Sequence, residues 1–191
     1  IPTNYIRTII LDGTGLIDKA YRDKEFNILI APEIRIFRNV TIHHYPINIS
    51  KSFINEDTNE KLRLIAKEIE DKSKGEESLI ITYKGKIESN LKSHLEGSPH
   101  CIIEHFGNLI GKNHFNNCTN VFFVGTNIYK YSDYSIQSKI IANRKLDLEV
   151  AQGQIEPFSD PYISEFYIKT RTVNLYQDLM RCRIRKPDNK K

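Results

Sequence analysis

The stretch most similar to a phosphate-binding loop runs from Gly107 to Asn113 and reads GNLIGKN. A Walker A loop has four residues between its two glycines, followed by Lys and by a Ser or Thr that binds Mg²⁺. Here three residues separate the glycines, and Asn113 stands where the hydroxyl residue belongs. This stretch is therefore predicted not to be a Walker A loop.

A second candidate is a group of three arginines, Arg181, Arg183 and Arg185. Their spacing by two would place neighbouring guanidinium groups on different faces of a helix, which does not suit a single surface stripe. Arg has a permanent charge and a planar fork that can bind two phosphate oxygens at once. One of these arginines could bind a phosphate while another reaches a different group. The alternative is a basic helix whose side chains are solvated.

Basic residues concentrate in the same part of the sequence. Between Lys169 and Lys191 there are eight Lys and Arg against two Asp, whereas all 191 residues together have a formal net charge of only +4. Such a basic segment can bind the phosphates of a nucleotide or of a nucleic acid. For residues 186–191 alone, a solvated basic tail is the simpler interpretation.

Other kinds of site lack the residue patterns they require. The three cysteines are far apart and form no CxxC pair, so neither a disulfide framework nor a zinc site is expected. The six histidines form no HExxH motif, and no metal site is predicted. No apolar run approaches the about 20 residues needed to cross a bilayer, and no signal sequence follows Ile1. We expect an intracellular protein, cytoplasmic or in the nucleoid or nucleus, with no membrane partner, and interpret Ile1 as a boundary within a longer chain.

Alternating helical and apolar segments predict the fold that would position these residues. Helical spacing of Leu, Ile and Ala predicts an amphipathic helix over residues 59–74, with Gly75 as its stop. The continuous apolar runs at residues 78–83 and 121–124 are typical of buried parallel strands. A helix over residues 87–95 lies between the first run and another short strand that begins at Cys101. This order predicts βαβ units and a parallel sheet.

The remaining segments have weaker patterns. A short strand at residues 8–11 precedes the turn DGTG, and residues 40–49 are expected to be extended. Residues 131–143 are predicted to form a helix. Residues 163–173 are predicted to be extended, and residues 174–183 to form a terminal helix.

Taken in order, these segments resemble the motifs of the C-terminal RecA-like lobe of superfamily 2 helicases, particularly divergent viral and mobile-element forms. The resemblance covers about residues 8–185. It rests on LDGTG at 11–15, which resembles the motif that closes the first lobe, LIITYKGKIESNLKSHL at 79–95 (motif IV), FGNLIGKNHFNNCTNVFFVGT at 106–126 (the motif V region) and NLYQDLMRCRIR at 174–185 (motif VI).

Two positions depart from motif VI. Met180 replaces the usual glycine before the first arginine, and Ile184 stands where the second arginine would fall. Arg181 is the better-aligned arginine, and the identity of an arginine finger stays open between Arg183 and Arg185.

The resemblance implies an α/β, RecA-like (P-loop NTPase-like) three-layer domain with a mainly parallel sheet, here without a Walker A loop. It divides the chain into a lead-in or linker at 1–50, the lobe at 51–185 and a basic tail at 186–191. An N-terminal RecA-like lobe of the same protein would supply the phosphate loop and the carboxylates that bind Mg²⁺. The lobe at 51–185 would supply catalytic arginines to the bound ATP, and it would be inactive when isolated.

By the same resemblance, particular residues acquire expected roles. Arg181 and Arg183 would be catalytic, Gln177 would face the ATP, and Gly111 and Asn113 would lie at the lobe interface. DNA or RNA would lie across both lobes, with backbone contacts from Thr82, Lys84 and Lys86. Asp12 could contact the nucleotide or its Mg²⁺ in the intact enzyme. The simpler alternatives are that Thr82 caps the following helix, that the two lysines are ordinary surface residues, and that Asp12 only forms a turn.

Two other classes of function remain as alternatives. A non-catalytic α/β module would bind nucleic acid or a protein through its basic end, without any response to nucleotide. A self-contained enzyme acting on a small molecule is disfavoured, because the sequence contains neither a dinucleotide-binding GxGxxG nor a GxSxG nucleophile elbow.

Overall fold

In the computed structural model, which describes residues 17–18, 40–45, 49–50, 54, 58–150 and 157–182, the chain divides into two units. The larger unit comprises residues 33–128 and 174–191, and the smaller comprises residues 1–32 and 129–173. The lobe predicted at residues 51–185 therefore draws residues from both units.

The described elements follow one another in the order helix, strand, helix, strand, strand, helix, helix. They are α1 (Thr58–Ser73), β1 (Ser78–Thr82), α2 (Lys86–His94), β2 (Cys101–His105), β3 (Asn120–Phe123), α3 (Tyr131–Ala142) and α4 (Pro161–Leu179). Helix α3 belongs to the smaller unit, and α4 begins in the smaller unit and ends in the larger one.

The three strands form a parallel sheet in the order β2-β1-β3. Strand β1 is central and buried along its whole length, and its Ile80 pairs with Ile103 on one side and with Phe122 on the other. A strand covered on both faces is expected to be apolar along its middle, which explains the unbroken run from Leu79 to Ile81. The predicted α/β class and parallel sheet are confirmed.

One face of the sheet packs against two helices. Ile80 on this face lies in a cluster with Ala66 and Ile69 of α1 and with Leu91 of α2. Both helices present apolar residues at helical spacing, as the sequence predicts. Helix α1 ends where Lys74 and Gly75 adopt left-handed backbone angles, with φ of 52° and 76°.

The opposite face of the sheet packs against the connection from β2 to β3. Leu79 and Ile81 alternate with Ile80 and so point to this side, where they cluster with Leu109 and Phe115. These two residues belong to the connection from β2 to β3, which within residues 106–119 contains turns rather than a helix. Cys182, which follows α4, completes the cluster.

The prediction that residues 163–173 are extended is wrong, because they lie within α4. Their β-branched and aromatic residues favour a strand, but Ile163, Phe166 and Tyr167 follow helical spacing and bury one face in the cluster around Tyr134. Asp160 starts the helix, since its carboxylate accepts a 2.8 Å hydrogen bond from the backbone N–H of Tyr162, with Pro161 at the first helical position.

Several predicted features lie outside the described residues: the strand at residues 8–11, Asp12, Arg183, Arg185 and the tail at 186–191. Residues 40–45, within the stretch expected to be extended, are described and exposed, and they belong to neither a helix nor a strand.

Candidate functional site

A cleft of about 330 Å³ lies in the larger unit where β1 and β3 end. The chain leaves β1 towards β2 on one side, while β3 lies on the other side, so the order β2-β1-β3 creates a switch point between β1 and β3. Ligands of parallel α/β sheets bind at such points, beyond the carboxyl ends of the strands. The cleft is lined by Ser50, Tyr83, Lys84, Phe106, Thr126, Asn127 and Ile128.

Tyr83 is the most constrained residue of the cleft. Its hydroxyl accepts a 3.2 Å hydrogen bond from the backbone N–H of Thr126 and donates one of 3.4 Å to the carbonyl of Ile49. Its ring lies against the backbone of Gly125, where φ is +113° and an added Cβ would come within 2.4 Å of the ring. Gly125 thus allows the close approach that fixes the ring.

A second aromatic side chain, Phe106, lies beside Tyr83 with ring centroids 5.6 Å apart and an edge-to-face angle of 62°. Neither residue was among the sites predicted from the sequence. Each follows directly after a strand, β1 or β2, and an aromatic residue at the carboxyl end of a buried strand is the signal that would have identified them.

The two predicted basic residues lie at the same end of the sheet. Lys84 is exposed in the turn after β1 and lines the cleft, and Lys86 is the exposed first residue of α2. Among the residues that the structure describes, neither amine forms an ion pair. Two exposed positive charges thus lie at this edge of the sheet.

Thr82 is the third residue predicted to contact nucleic acid, but its side chain lies in the interior of the protein. It is fully buried, and its hydroxyl donates a 3.2 Å hydrogen bond to the carbonyl of Val124, which follows β3. It does not cap α2, whose first turn is preceded by Gly85. Thr82 links two strand ends and presents no atom at the surface.

We expect Thr82→Val to preserve the shape of the side chain but to leave the buried carbonyl of Val124 without its donor. The free energy of unfolding should fall by about 1–2 kcal/mol, measured by chemical denaturation. Binding of nucleic acid at the sheet edge should not change. Weaker binding by a natively folded variant would show instead that the hydroxyl reaches a strand.

The loop between β2 and β3 contains the predicted interface residues Gly111 and Asn113, and both are exposed. Glu104 of β2 holds the loop, because its carboxylate accepts hydrogen bonds from Lys112 at 2.8 Å and from Asn108 at 2.6 Å. Gly111 has φ of +79°, a conformation that favours glycine. Turns rather than a helix follow at 114–117, whereas a Walker A loop leads directly into a helix.

Gln177 lies in the last turn of α4, and Arg181 follows two residues after the helix ends at Leu179. Gln177 is exposed and Arg181 is partly buried. The neighbouring Cys182 packs with Leu109 and Phe115. The segment that holds Arg181 and the loop that holds Gly111 and Asn113 therefore cover the same face of the sheet.

Asp178 lies between Gln177 and Arg181 in the sequence, and the pKa of its carboxyl group is shifted. Burial raises its pKa to about 6, while the nearby charge of Arg181 acts in the opposite direction. The native state thus favours the protonated form, so the contribution of this carboxyl group to stability is greatest below pH 4 and decreases as the pH rises to about 6.

Asp178→Asn should remove this pH dependence and should stabilise the protein at pH 7 by on the order of 1–2 kcal/mol, after allowance for solvent screening. Thermal melts of both proteins between pH 4 and pH 8 test this. The control is Asp71→Asn on the exposed side of α1. Parallel pH profiles of the Asp178 variant and the unmodified protein would contradict the assignment.

A second cleft, of about 510 Å³, lies between α1 and α2. Its lining is polar, and Asn90 donates a 3.1 Å hydrogen bond to Asn59 across it. This cleft has no Phe, Tyr or Trp side chain in its lining and lies on the helix layer, away from the strand ends, so we assign the candidate site to the smaller cleft at β1 and β3. The lining residues are Asn59, Glu60, Arg63, Asn90, Ser93 and His94.

Within the described ranges, no group of three or more His, Cys, Asp or Glu is arranged to hold a metal ion. In the same part of the chain, no helix combines the length and apolar character required of a membrane span. Comparison with known proteins found no matching family model, no matching curated protein and no matching solved structure.

Proposed function

We propose that this chain contains the C-terminal RecA-like lobe of a nucleic-acid-dependent ATPase of the superfamily 2 helicase type. The observation that carries the proposal is the convergence of two motif-like segments. The loop with Gly111 and Asn113 and the segment with Arg181, which follows α4, contribute residues to one cluster over one face of the sheet. In the family that the sequence resembles, the corresponding motifs V and VI act on one bound nucleotide.

In this proposal ATP with Mg²⁺ binds between this lobe and an N-terminal RecA-like lobe of the same protein. Gln177 in the last turn of α4 and Arg181 just after the helix face the nucleotide, and Arg183 follows in the same segment. A guanidinium group stabilises the charge that develops on the transferred phosphoryl group, which is the chemistry an arginine finger supplies. Gly111 and Asn113 lie at the lobe interface.

The sheet edge supports the second half of the proposal. Lys84 and Lys86 place two exposed positive charges at the carboxyl end of the central strand, and α/β sheets bind their ligands at that end. Phosphates of DNA or RNA are the partners that such charges attract. Thr82 is left out of this interface because it is buried.

The coding sequence upstream of Ile1 tests the two-lobe arrangement. The proposal requires a GxxxxGK(S/T) loop and an acidic Walker B strand within the preceding roughly 200 residues, about the length of one domain. An upstream sequence of that length without either motif would rule out the arrangement.

We expect Lys84→Ala/Lys86→Ala to weaken binding of single-stranded nucleic acid at all sequences alike. Each lost phosphate contact should reduce the slope of log affinity against log salt by about one, so the double variant should lose about two. Fluorescence anisotropy across a salt series measures this. A control variant, Lys67→Ala/Lys139→Ala, removes two exposed lysines from α1 and α3 and should leave the slope unchanged.

The alternative function, a non-catalytic binding module, follows from a specific observation. The cleft and both lysines belong to the larger unit alone. Such a module would bind nucleic acid with the same salt dependence, but its affinity would not respond to ATP in the intact protein. The ATPase proposal requires that response.

A further inference from the structure

The wall of the cleft at β1 and β3 offers a fixed aromatic surface. Tyr83 is held by two hydrogen bonds and by the backbone at Gly125, and Phe106 stands edge-to-face against it. Both rings are only partly buried. Rings that are already oriented lose little conformational freedom when a flat group stacks on them. Stacking of unpaired bases on aromatic side chains is a common mode of single-strand binding.

Part of the lining of the cleft is polar. Asn127 is partly buried, and its side-chain amide forms no hydrogen bond among the described residues. An amide of this kind can pair with the exposed edge of a base. Lys84 adds a positive charge at the rim. The cleft therefore combines a stacking surface, a polar group for a base edge and a cation for a phosphate.

Its size limits what can enter. A volume of about 330 Å³ is at the lower end of the range for ligand pockets, about 300–1,000 Å³. One nucleotide suits this volume, whereas a base pair or a run of stacked bases does not.

We propose that this cleft binds one unpaired nucleotide of a single strand, with its base against Tyr83 and Phe106, the base edge at Asn127 and the phosphate at Lys84. The inference rests on the proposed function, since it names the part of the nucleic acid that the sheet edge recognises. It adds recognition of a base to binding of the backbone.

The test compares two strands of equal length by fluorescence anisotropy with the full chain. One is a short oligothymidylate, and the other carries abasic sites in place of every base; ribose versions of both are measured in parallel. Stacking on aromatic side chains is worth about 1–3 kcal/mol per base, so the strand with bases should bind about fivefold or more tightly.

Variants separate the base contact from the phosphate contact. Phe106→Leu keeps an apolar side chain for packing and should reduce the ratio of the two affinities towards one. Tyr83→Phe keeps the ring and should preserve the ratio, while Lys84→Ala should weaken both strands equally. Tyr162→Leu, which removes an aromatic ring from the smaller unit, is the matched control and should change neither affinity.

A measurement on the unmodified chain removes any dependence on the folding of variants. A strand with 5-iododeoxyuridine is irradiated, and the cross-linked peptide is identified by mass spectrometry. We expect the cross-link at Tyr83 or Phe106, and cross-links exclusively elsewhere would overturn the inference.

The other possible results separate a failure of this inference from a failure of the proposed function. Equal, salt-dependent affinity for both strands would overturn the inference while leaving the proposed function in place. No binding of either strand would overturn both. Thymidine monophosphate binding as tightly as the oligothymidylate would overturn the assignment to a strand, because the cleft would then be a site for a free nucleotide.

Discussion

Arg181→Ala, in the two-lobed ATPase that the proposed function requires, should lower ATP turnover by about 10³-fold or more. The guanidinium group stabilises charge that develops on the phosphoryl group during its transfer, so its loss affects the reaction far more than the binding of ATP. Steady-state turnover and the affinity for a fluorescent ATP analogue measure the two effects separately. The affinity for the ATP analogue should remain largely unchanged.

Two further variants sharpen this prediction. Arg181→Lys keeps the charge but loses the planar fork, and it should also be strongly impaired. Arg144→Ala removes an exposed arginine of the smaller unit, which stacks over Tyr162, and should leave turnover unchanged. Normal turnover by Arg181→Ala would show that this arginine is outside the active site.

Phe115→Ala should destabilise the larger unit by about 3–5 kcal/mol, because it removes a fully buried ring from the loop that packs against the sheet. The loop from β2 to β3 contains no helix within residues 106–119, so its stability depends on a few anchoring side chains. Chemical denaturation measures the change in the free energy of unfolding. It also tests whether the loop with Gly111 and Asn113 is fixed to the sheet.

Ile110→Ala is the matched control in the same loop. Ile110 is 80% exposed, and its truncation should change stability by no more than about 0.5 kcal/mol. Similar small effects of both variants would mean that the loop does not pack as described, and the shared cluster that supports the proposed function would be lost with it.

The sheet was predictable because its signal is local. Strand β1 is apolar at its three central positions, and α1 repeats its apolar residues at helical spacing, so short windows of sequence were enough. Helix α4 was partly missed, because residues 163–173 have strand-like composition. Packing against Tyr134 and Phe158 overrides that preference, and packing of this kind is not visible in a local window.

The candidate site was predictable only in part. Lys84 and Lys86 follow a predicted strand, and their position at its carboxyl end could be deduced. Tyr83 and Asn127 are far apart in the sequence and lie in one cleft only because β1 and β3 are neighbours. The burial of Thr82 depends on a hydrogen bond to Val124 across the same pair of strands. Pairing order decides both features, and no single segment encodes it.

ATP turnover of the intact polypeptide, measured with and without single-stranded nucleic acid, tests the central claim most directly. We expect hydrolysis to increase when the strand is added, and we expect Lys84→Ala/Lys86→Ala to lose this increase. Absence of hydrolysis, or hydrolysis that the strand does not change, would contradict the assignment of this chain to a nucleic-acid-dependent ATPase.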